Sequence, residues 1–434
     1  MKSAKQDFPV ITRGDGVYLF DRDGRRYFDA TAGLFVASCG HGNREIAAEI
    51  AERSKPIGFV NSAYFTTEIS EELGSRLAAI DPALGLTRSL FLCSGSEAVE
   101  AAVKLARQIH VERGEVRRHK IISRFPSYHG NTLFALAVSG RPAAKQVFEP
   151  LLHPVTHIPS PYRYHSEVED FDGKGAAHYA AYLERAIVEA GPDTVAAFVV
   201  EPVSASAAAG DKPPKGYFDE IQKICAKYGV LIIADEVLCG TGRTGKFFAS
   251  SHFGLKPDIL TMGKGISGGY VPLSVVLTRE EHYRTIAVKS GSLVHFQTYQ
   301  QAPCMAAAGV AVLNYYERHQ VVKNSLERGE QLKRELQAAF RDHPRVGNIP
   351  GTGLLLAIEL VQDRAAKKCF PRAEKTAEKL ADSALGLGLS FHPYAAHAPG
   401  GNGDFLMISP PLTISAGEVT ELVSLFRKSL EALA

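Results

Sequence analysis

Residues 261–274 read TMGKGISGGYVPLS and place Lys264 between two glycines, on a turn that joins two strand-like apolar runs. Because Gly263 and Gly265 carry no Cβ, a flat ligand can approach this backbone closely. Burial of the amine would lower its pKa and favour the neutral form, which is nucleophilic and can form a Schiff base. A solvated lysine in a surface loop is the alternative, and the surrounding motifs have to decide between the two.

Composition limits the classes of protein that this chain can be. Its 434 residues are 45% hydrophobic and 22% charged, which is typical of a soluble globular protein with two or three folding units. A net charge of +2 and the lack of a basic stripe argue against nucleic-acid binding. No signal-peptide core and no apolar run of about 18 residues is present. Six scattered cysteines without a C-x-x-C pair indicate reduced thiols, so we expect a cytoplasmic protein.

Strand-like and helix-like segments alternate through the first two thirds of the chain. Short apolar runs at 89–93 (SLFLC) and 120–124 (KIISR), and later VAAFVV and LIIAD, are separated by amphipathic helical segments. This alternation predicts βαβ units and a mostly parallel central sheet flanked by helices, in an α/β fold. Residues 146–174 are rich in proline and histidine and are predicted to form a long loop.

The pattern changes near residue 303, where long amphipathic helices and a few strands predict a smaller α+β domain. An N-terminal hairpin at 13–29, with two D-G turns, is expected to join that domain. The predicted organisation is an N-terminal segment contributing to the small domain, a large cofactor-binding domain and a C-terminal small domain, with bounds 1–55, 56–318 and 319–434.

Four polar features stand at ends of the predicted strands, near Lys264. Ser94-Gly95-Ser96 begins a helix directly after a strand, where N–H groups and the helix dipole suit a phosphate, although a simple N-cap with Glu97 explains the same residues. Asp235 ends an apolar strand and is costly to bury unless it is paired, for example with a cationic heterocycle nitrogen; capping of the next turn is the alternative. Tyr128-His129 puts an aromatic ring after a strand, able to stack on a flat ligand, and Glu201 ends another buried strand.

Two glycine-rich loops resemble nucleotide-binding motifs but lack the context that those motifs need. GTGRTG (240–245) and GKGISG (263–268) both match G-x-G-x-x-G, yet neither lies in the first strand-to-helix turn of the sheet. Phe247 stands where a Walker loop requires serine or threonine. No histidine pair has a convincing metal spacing, so no metal site is expected.

Eight motifs occur in the order seen in class III aminotransferases, which the chain resembles over nearly its whole length. They are SGSEAVEAAVKLAR, SYHG (127–130), EPV, ADEV, GTGRTG, GKGISGGYVP, QTY (297–299) and PPL (410–412). The resemblance implies fold type I, pyridoxal 5′-phosphate (PLP) as cofactor, and a homodimer with the active site at the subunit interface.

The resemblance also implies roles for single residues. Lys264 would hold the cofactor as a Schiff base and then shuttle the proton, and Asp235 would keep the pyridine nitrogen protonated. Tyr128 would stack on one face of the ring and Val237 on the other. The remaining expected cofactor contacts are Gly95, Ser96, His129, Glu201 and, from the partner subunit, Thr298.

The implied reaction moves an amino group from an amine or amino acid to a keto acid by a ping-pong mechanism with aldimine and ketimine intermediates. Class III relatives also include epimerases, an aminomutase and a decarboxylase, which remain alternatives that keep the cofactor. A nucleotide-binding protein built on the two glycine-rich loops and a catalytically silent binding protein are rivals from other classes. A nucleotide-binding protein would lack a yellow chromophore, and the intact Lys264 and Asp235 disfavour a silent one.

The chain departs from the family pattern where many members carry an arginine, shortly before PPL, that binds the substrate carboxylate. No arginine occurs between Arg372 and Arg427, and the segment offers His392 and His397 as potential cations, which loop packing could equally explain. Arg163, in the predicted loop, is a conceivable substitute. Phe35 replaces the tryptophan common in relatives, and with Leu34 and Tyr64 it is expected to shape an apolar substrate pocket.

Overall fold

The computed structural model describes residues 8–395 and 401–431. The helices are α1 (Ala32–Phe35), α2 (Arg44–Arg53), α3 (Glu68–Ile80), α4 (Gly95–Glu112), α5 (Leu133–Val138), α6 (Pro142–Lys145), α7 (Gly175–Ala190), α8 (Ala205–Ala208), α9 (Tyr217–Tyr228), α10 (Glu280–Lys289), α11 (Pro303–Arg318), α12 (Val321–Ala339), α13 (Thr376–Gly386) and α14 (Ala416–Leu430). The strands are β1 (Ile11–Asp15), β2 (Tyr18–Asp21), β3 (Arg26–Asp29), β4 (Leu86–Leu92), β5 (Lys120–Phe125), β6 (Thr156–Pro159), β7 (Val195–Val200), β8 (Leu231–Asp235), β9 (Ile259–Met262), β10 (Ser274–Arg279), β11 (Val346–Asn348), β12 (Gly351–Thr352), β13 (Leu355–Asp363), β14 (Lys368–Cys369), β15 (Leu389–Ser390), β16 (Pro393–Ala395) and β17 (Asp404–Ile408).

A seven-stranded sheet in the order β4-β10-β9-β8-β7-β5-β6 forms the centre of the described chain. β10 is antiparallel to both of its neighbours, and the other neighbouring pairs are parallel. On β7, Phe198 packs into a cluster with residues of α7 and α9, whereas Val199 packs into a second cluster with residues of α4. Burial of both faces explains the uninterrupted apolar run VAAFVV, and the predicted α/β class is confirmed.

The predicted long loop at 146–174 is wrong for seven of its residues, since Glu149–Leu151 forms a 3₁₀ turn and a strand follows it. Thr156–Pro159 forms β6, which pairs in parallel with β5 at the edge of the large sheet. Proline lacks an N–H donor and is tolerated on an edge strand, so the proline-rich composition concealed a strand rather than excluding one.

The N-terminal strands pack with the C-terminal part of the chain. β1, β2 and β3 form an antiparallel meander, and β3 pairs in parallel with β15, with Phe28 opposite Leu389. The core of this region combines Val17 and Phe28 with residues of α12, β13 and α14. The predicted domain boundaries stay a prediction. Within residues 8–395 and 401–431, no helix is both long enough and apolar enough to cross a membrane.

Candidate active site

A cavity of about 370 Å³ lies where the parallel strands of the large sheet end. Residues that follow β4, β5, β7, β8 and β9 line it, as expected for an open α/β sheet, in which ligands bind beyond the carboxyl ends of the strands. Its volume lies in the range of small-molecule sites. The structure brings ten of the predicted site residues together here: Leu34, Phe35, Gly95, Ser96, Tyr128, His129, Glu201, Asp235, Val237 and Lys264.

Lys264 follows β9 and stands at the wall of the cavity, partly exposed to it. Its φ of 49° is in the left-handed region, a strained conformation of the kind that clusters at functional sites. Burial lowers the pKa of the amine, and the charges of Asp235 and Glu201 offset part of that shift. Within the described residues its Nζ makes no hydrogen bond or ion pair, so a buried amine is left available for chemistry.

Asp235 ends β8 and is held in place by three hydrogen bonds. Thr261 Oγ1 donates to Oδ1 at 3.1 Å, and the Val237 N–H donates to the same oxygen at 3.1 Å. His129 Nδ1 lies 2.8 Å from Oδ2. The side chain is 4% exposed, and this exposed part faces the cavity that Lys264 lines. These contacts compensate the burial of a carboxylate and fix its orientation towards a ligand.

The N-terminus of α4 forms one end of the cavity, at Gly95 and Ser96. Ser94 and Glu97 form a capping box, in which the Ser94 side chain accepts from the Glu97 N–H and the Glu97 side chain accepts from the Ser94 N–H. The N–H groups of Gly95 and Ser96 have no acceptor within the helix, which makes this end of α4 an anion site. The N-cap explanation and the anion-site explanation are therefore compatible.

Val237 fills a space that two glycines leave open. An added Cβ at Gly95 would lie 2.7 Å from Val237 Cγ1, and one at Gly263 would lie 3.1 Å from the same atom. Both distances are shorter than an ordinary contact between carbon atoms. The glycines on either side of the cavity wall are thus required by packing around Val237.

Phe35 also has a strained backbone in the cavity wall. Its φ is 65°, an outlier for a bulky residue, and its ring is buried with the centroid 5.9 Å from Lys264 Nζ. Leu34 is beside it and half-exposed to the cavity. Leu34 and Phe35 give this side of the cavity an apolar lining, and their role as a substrate pocket stays a prediction.

Glu201 follows β7 and is buried next to the same cavity. Burial raises the pKa of its carboxyl group, while the charges of His129 and Arg124 counter that effect. The Ser204 hydroxyl donates to its Oε2. Glu201 is therefore a hydrogen-bonded carboxyl group near Lys264.

Three predicted site residues are not brought to the cavity within this chain. Thr298 is exposed, in a segment that Gln297 attaches to Cys93 near the start of α4. Tyr64 is 80% exposed. Arg163 lines a different cavity and forms two hydrogen bonds to Asp172, at 2.8 and 2.9 Å, so its charge is already paired. The structure does not support Arg163 as the substitute cation for a substrate in the Lys264 cavity.

Arg141, Tyr394 and His392 all line the cavity. His392 was a possible cation from the sequence alone, whereas Arg141 and Tyr394 were missed. Burial and the nearby Arg141 charge lower the pKa of His392, which favours the neutral imidazole. Arg141 belongs to a Ser-Gly-Arg-Pro turn that matches no motif, so no signal in the sequence separates it from a surface arginine. His397 lies outside the described residues.

The GTGRTG loop has a structural role. Arg243 is 2% exposed, and its Nη1 donates to the carbonyl oxygens of Leu354 and Pro410, at 3.1 and 2.5 Å. Burial lowers the pKa of this guanidinium to about 10. The loop thereby connects the large-sheet region to the C-terminal strands.

The cavity fits pyridoxal 5′-phosphate on several observations. His129 Nε2 is buried and without a hydrogen-bond partner in the described chain, as is expected beside a ligand. Gly130 has a φ of 137°, and a Cβ there would lie 2.6 Å from Ser96 Oγ, so close backbone approach shapes the end of the cavity at α4. An available amine at Lys264, an anchored carboxylate at Asp235 and an anion site at Gly95 match the carbonyl, ring nitrogen and phosphate of this cofactor.

Comparison with known proteins agrees with this fit. Residues 1–430 match the family model of class III aminotransferases. The uncharacterized aminotransferase YodT of Bacillus subtilis (strain 168) is 35% identical, over 98% of this chain and 96% of the relative. An (S)-enantioselective omega-transaminase from Thermomicrobium roseum superposes with a TM-score of 0.91 at 34% identity, covering 99% of this chain and 93% of the other.

The omega-transaminase from Pseudomonas jessenii in complex with PMP has a TM-score of 0.91 at 31% identity, covering 100% and 96% of the two chains. These comparisons give no support to an epimerase, aminomutase or decarboxylase. The chain belongs to the class III aminotransferases, PLP-dependent enzymes of fold type I that transfer an amino group from an amine or amino acid to a keto acid.

Proposed function

We propose that Lys264 and Asp235 are the catalytic pair of this aminotransferase and that the enzyme acts as a homodimer with shared active sites. The observation that carries the assignment is the half-buried amine of Lys264, which makes no hydrogen bond or ion pair within the described residues and lines the same cavity as the anchored carboxylate of Asp235. No other lysine lines that cavity among the described residues.

Each residue of the cavity has a separate role in the proposed reaction. Bound PLP supplies an electron sink for the negative charge that develops at the substrate carbon. Lys264 Nζ, whose pKa burial lowers, would anchor the cofactor and, when free, would take the proton from the substrate carbon that bears the amino group. Asp235 holds a proton on the ring nitrogen. The N–H groups of Gly95 and Ser96 bind the phosphate.

Orientation and water exclusion come from the walls. Tyr128 and Val237 line the cavity and would enclose the cofactor ring from its two faces, and His129, which is bonded to Asp235, would pack beside it. Glu201 lines the same cavity, and the Ser204 hydroxyl that donates to its Oε2 would fix the orientation of its carboxyl group towards a substrate. Leu34 and Phe35 contact the apolar part of the substrate.

An exposed aromatic surface supports the homodimer. Phe59, Tyr64, Phe65, Phe296 and Tyr299 are all exposed, and the rings of Phe59 and Tyr299 lie 6.1 Å apart. Contiguous exposed apolar residues of this kind mark interaction sites. Thr298 lies in the same surface, so we propose that it reaches the phosphate of the partner subunit, and that Tyr64 completes the partner's substrate pocket.

Subunit complementation tests the shared site. Lys264→Ala removes the amine, and Thr298→Glu places a negative charge beside the partner's phosphate, so each variant alone is expected to be inactive. A random mixture should recover about a quarter of the wild-type activity, since half of the dimers are hybrids with one intact site. Hybrid dimers, verified by native mass spectrometry, that show no activity would contradict the shared site, as would a fully active monomer in sedimentation analysis.

We also propose that the enzyme works in the cytoplasm. All six cysteines are free thiols, and Cys39, Cys225 and Cys239 are buried. Unpaired cysteines are the rule in reducing compartments. Fractionation of the native cells, with an antibody to the chain, would locate it.

A further inference from the structure

The positive charges that line the cavity are few. Lys264 and Arg141 are the lysine and arginine that line it in the described chain, and burial and the Arg141 charge lower the pKa of His392. Lys264 is the reacting amine. Arg141 is therefore the permanent positive charge available to a substrate. The buried carboxyl groups of Asp235 and Glu201, near Lys264, would repel a substrate carboxylate rather than bind it.

Arg141 lies beside two aromatic rings and has no acidic partner in the described chain. Its guanidinium carbon lies 4.4 Å from the ring centroid of Tyr394 and 5.2 Å from that of Tyr128. Within the residues that the structure describes, no carboxylate comes within 4.0 Å of its nitrogens. Rings that cover the faces of a guanidinium leave the N–H donors at its edge free, and these donors match a carboxylate in geometry.

The backbone on either side fixes the position of Arg141 beside Tyr128. The His129 N–H donates to Ser139 Oγ at 2.8 Å, and the Gly140 N–H donates to Ser127 Oγ at 2.9 Å. An added Cβ at Gly140 would lie 2.4 Å from the Arg124 carbonyl oxygen, so the two segments are in direct contact there. Residues 127–129 and 139–141 are thus hydrogen-bonded to each other, and this contact holds Arg141 at the cavity before any ligand binds.

We propose that Arg141 binds the carboxylate of the keto acid acceptor, and of the amino acid formed from it. The proposal rests on the aminotransferase site proposed above and specifies which substrates it takes. It accounts for a chain that lacks an arginine between Arg372 and Arg427 yet transfers amino groups to a keto acid. A substrate carboxylate would bind at the end of the cavity formed by Arg141 and Tyr394.

The test compares two acceptors that differ by the carboxylate alone, pyruvate and acetaldehyde, in Arg141→Gln and Arg141→Lys. The measured quantity is the ratio of kcat/KM for pyruvate to kcat/KM for acetaldehyde, obtained from single-turnover rates of the enzyme preloaded with an amino group. Loss of a bidentate charged contact should lower this ratio about 100-fold in Arg141→Gln, equivalent to about 2.7 kcal/mol. Arg141→Lys should recover part of the ratio, because lysine keeps the positive charge but cannot form the two parallel hydrogen bonds that a guanidinium donates to a carboxylate.

A binding measurement separates the carboxylate contact from the chemistry. The dissociation constant of propionate, an unreactive carboxylate, should rise at least about tenfold in Arg141→Gln, measured by calorimetry on the holoenzyme. Circular dichroism and the thermal midpoint check that the variant folds. Arg163→Gln is the matched comparison for the alternative arginine, and it should leave both quantities unchanged.

The outcomes distinguish this inference from the proposed function. A wild-type enzyme that transfers no amino group to any keto acid would overturn the proposed function. An active wild type, combined with an Arg141→Gln variant whose ratio and propionate binding stay within threefold, would overturn the assignment of Arg141 alone. Losses that appear in Arg163→Gln instead would transfer the role to Arg163.

Discussion

Gly95→Ala is the substitution whose effect the structure defines most closely. The new methyl group would lie 2.7 Å from Val237 Cγ1 and 3.2 Å from Cγ2, against an optimum of about 3.5–4.0 Å between carbon atoms. The methyl group must therefore displace Val237 by up to about 1 Å, into the space that we assign to the cofactor.

We expect the affinity for PLP to fall. Overpacking of this kind costs about 1–3 kcal/mol, and a cost of about 2 kcal/mol borne by the bound state corresponds to a dissociation constant about 30 times higher. Fluorescence titration of the apoenzyme with the cofactor measures this constant, and thermal unfolding of the apoenzyme measures the part of the cost that is independent of the cofactor.

A second substitution provides the control for this reasoning. In Gly95→Ala/Val237→Ala the two methyl groups of the valine are gone, so the double variant should bind the cofactor better than Gly95→Ala alone. A Gly95→Ala variant with wild-type affinity and stability would refute the packing argument. A double variant that binds no better than the single one would show that the loss has another origin.

Two further predictions follow from local structure. Ser94→Ala and Ser415→Ala each remove a capping box, at α4 and α14, so each variant should lose about 1 kcal/mol of unfolding free energy in denaturant titrations. Ser94→Ala alone should also weaken cofactor binding. Equal losses of cofactor binding in the two variants would contradict the anion site at α4. Glu236 is buried, and burial raises the pKa of its carboxyl group from 4.5 to about 7. Between pH 4.5 and 7 the folded state therefore binds more protons than the unfolded state. The free energy of unfolding should fall by up to about 3 kcal/mol as the pH rises through this range. Glu236→Gln should reduce that slope in urea titrations between pH 5 and 8, and an unchanged slope would contradict the buried-carboxyl account.

Much of the fold was predictable because apolar runs fix the strands of a doubly covered sheet. VAAFVV and LIIAD became β7 and β8, and the segment that begins at Ser94 became α4. The strand at Thr156–Pro159 was missed because an edge strand needs neither a long apolar run nor the absence of proline. Pairing with β5 defines that strand, and such a long-range contact leaves no local pattern in the sequence.

The candidate site was predictable where a residue follows a strand and not where it arrives by a tertiary contact. Asp235 ends β8 and Lys264 follows the end of β9 by two residues, so their convergence follows from the topology of the sheet. Arg141 reaches the cavity because Gly140 packs against the segment at Ser127, which the sequence does not show. In the sequence, Arg163 was a candidate to bind a substrate carboxylate because nothing there shows that it pairs with Asp172, nine residues later. That ion pair forms when the loop folds.

The most direct test of the central claim is the visible absorption spectrum of the purified protein loaded with PLP, for the wild type and for Lys264→Ala. The wild type should show a yellow band that bleaches when a primary amine donor is added and returns when pyruvate follows. In Lys264→Ala the band of the lysine-bound cofactor should be missing. A wild type without the band, or a Lys264→Ala variant that still completes the cycle at the wild-type rate, would contradict the assignment of Lys264.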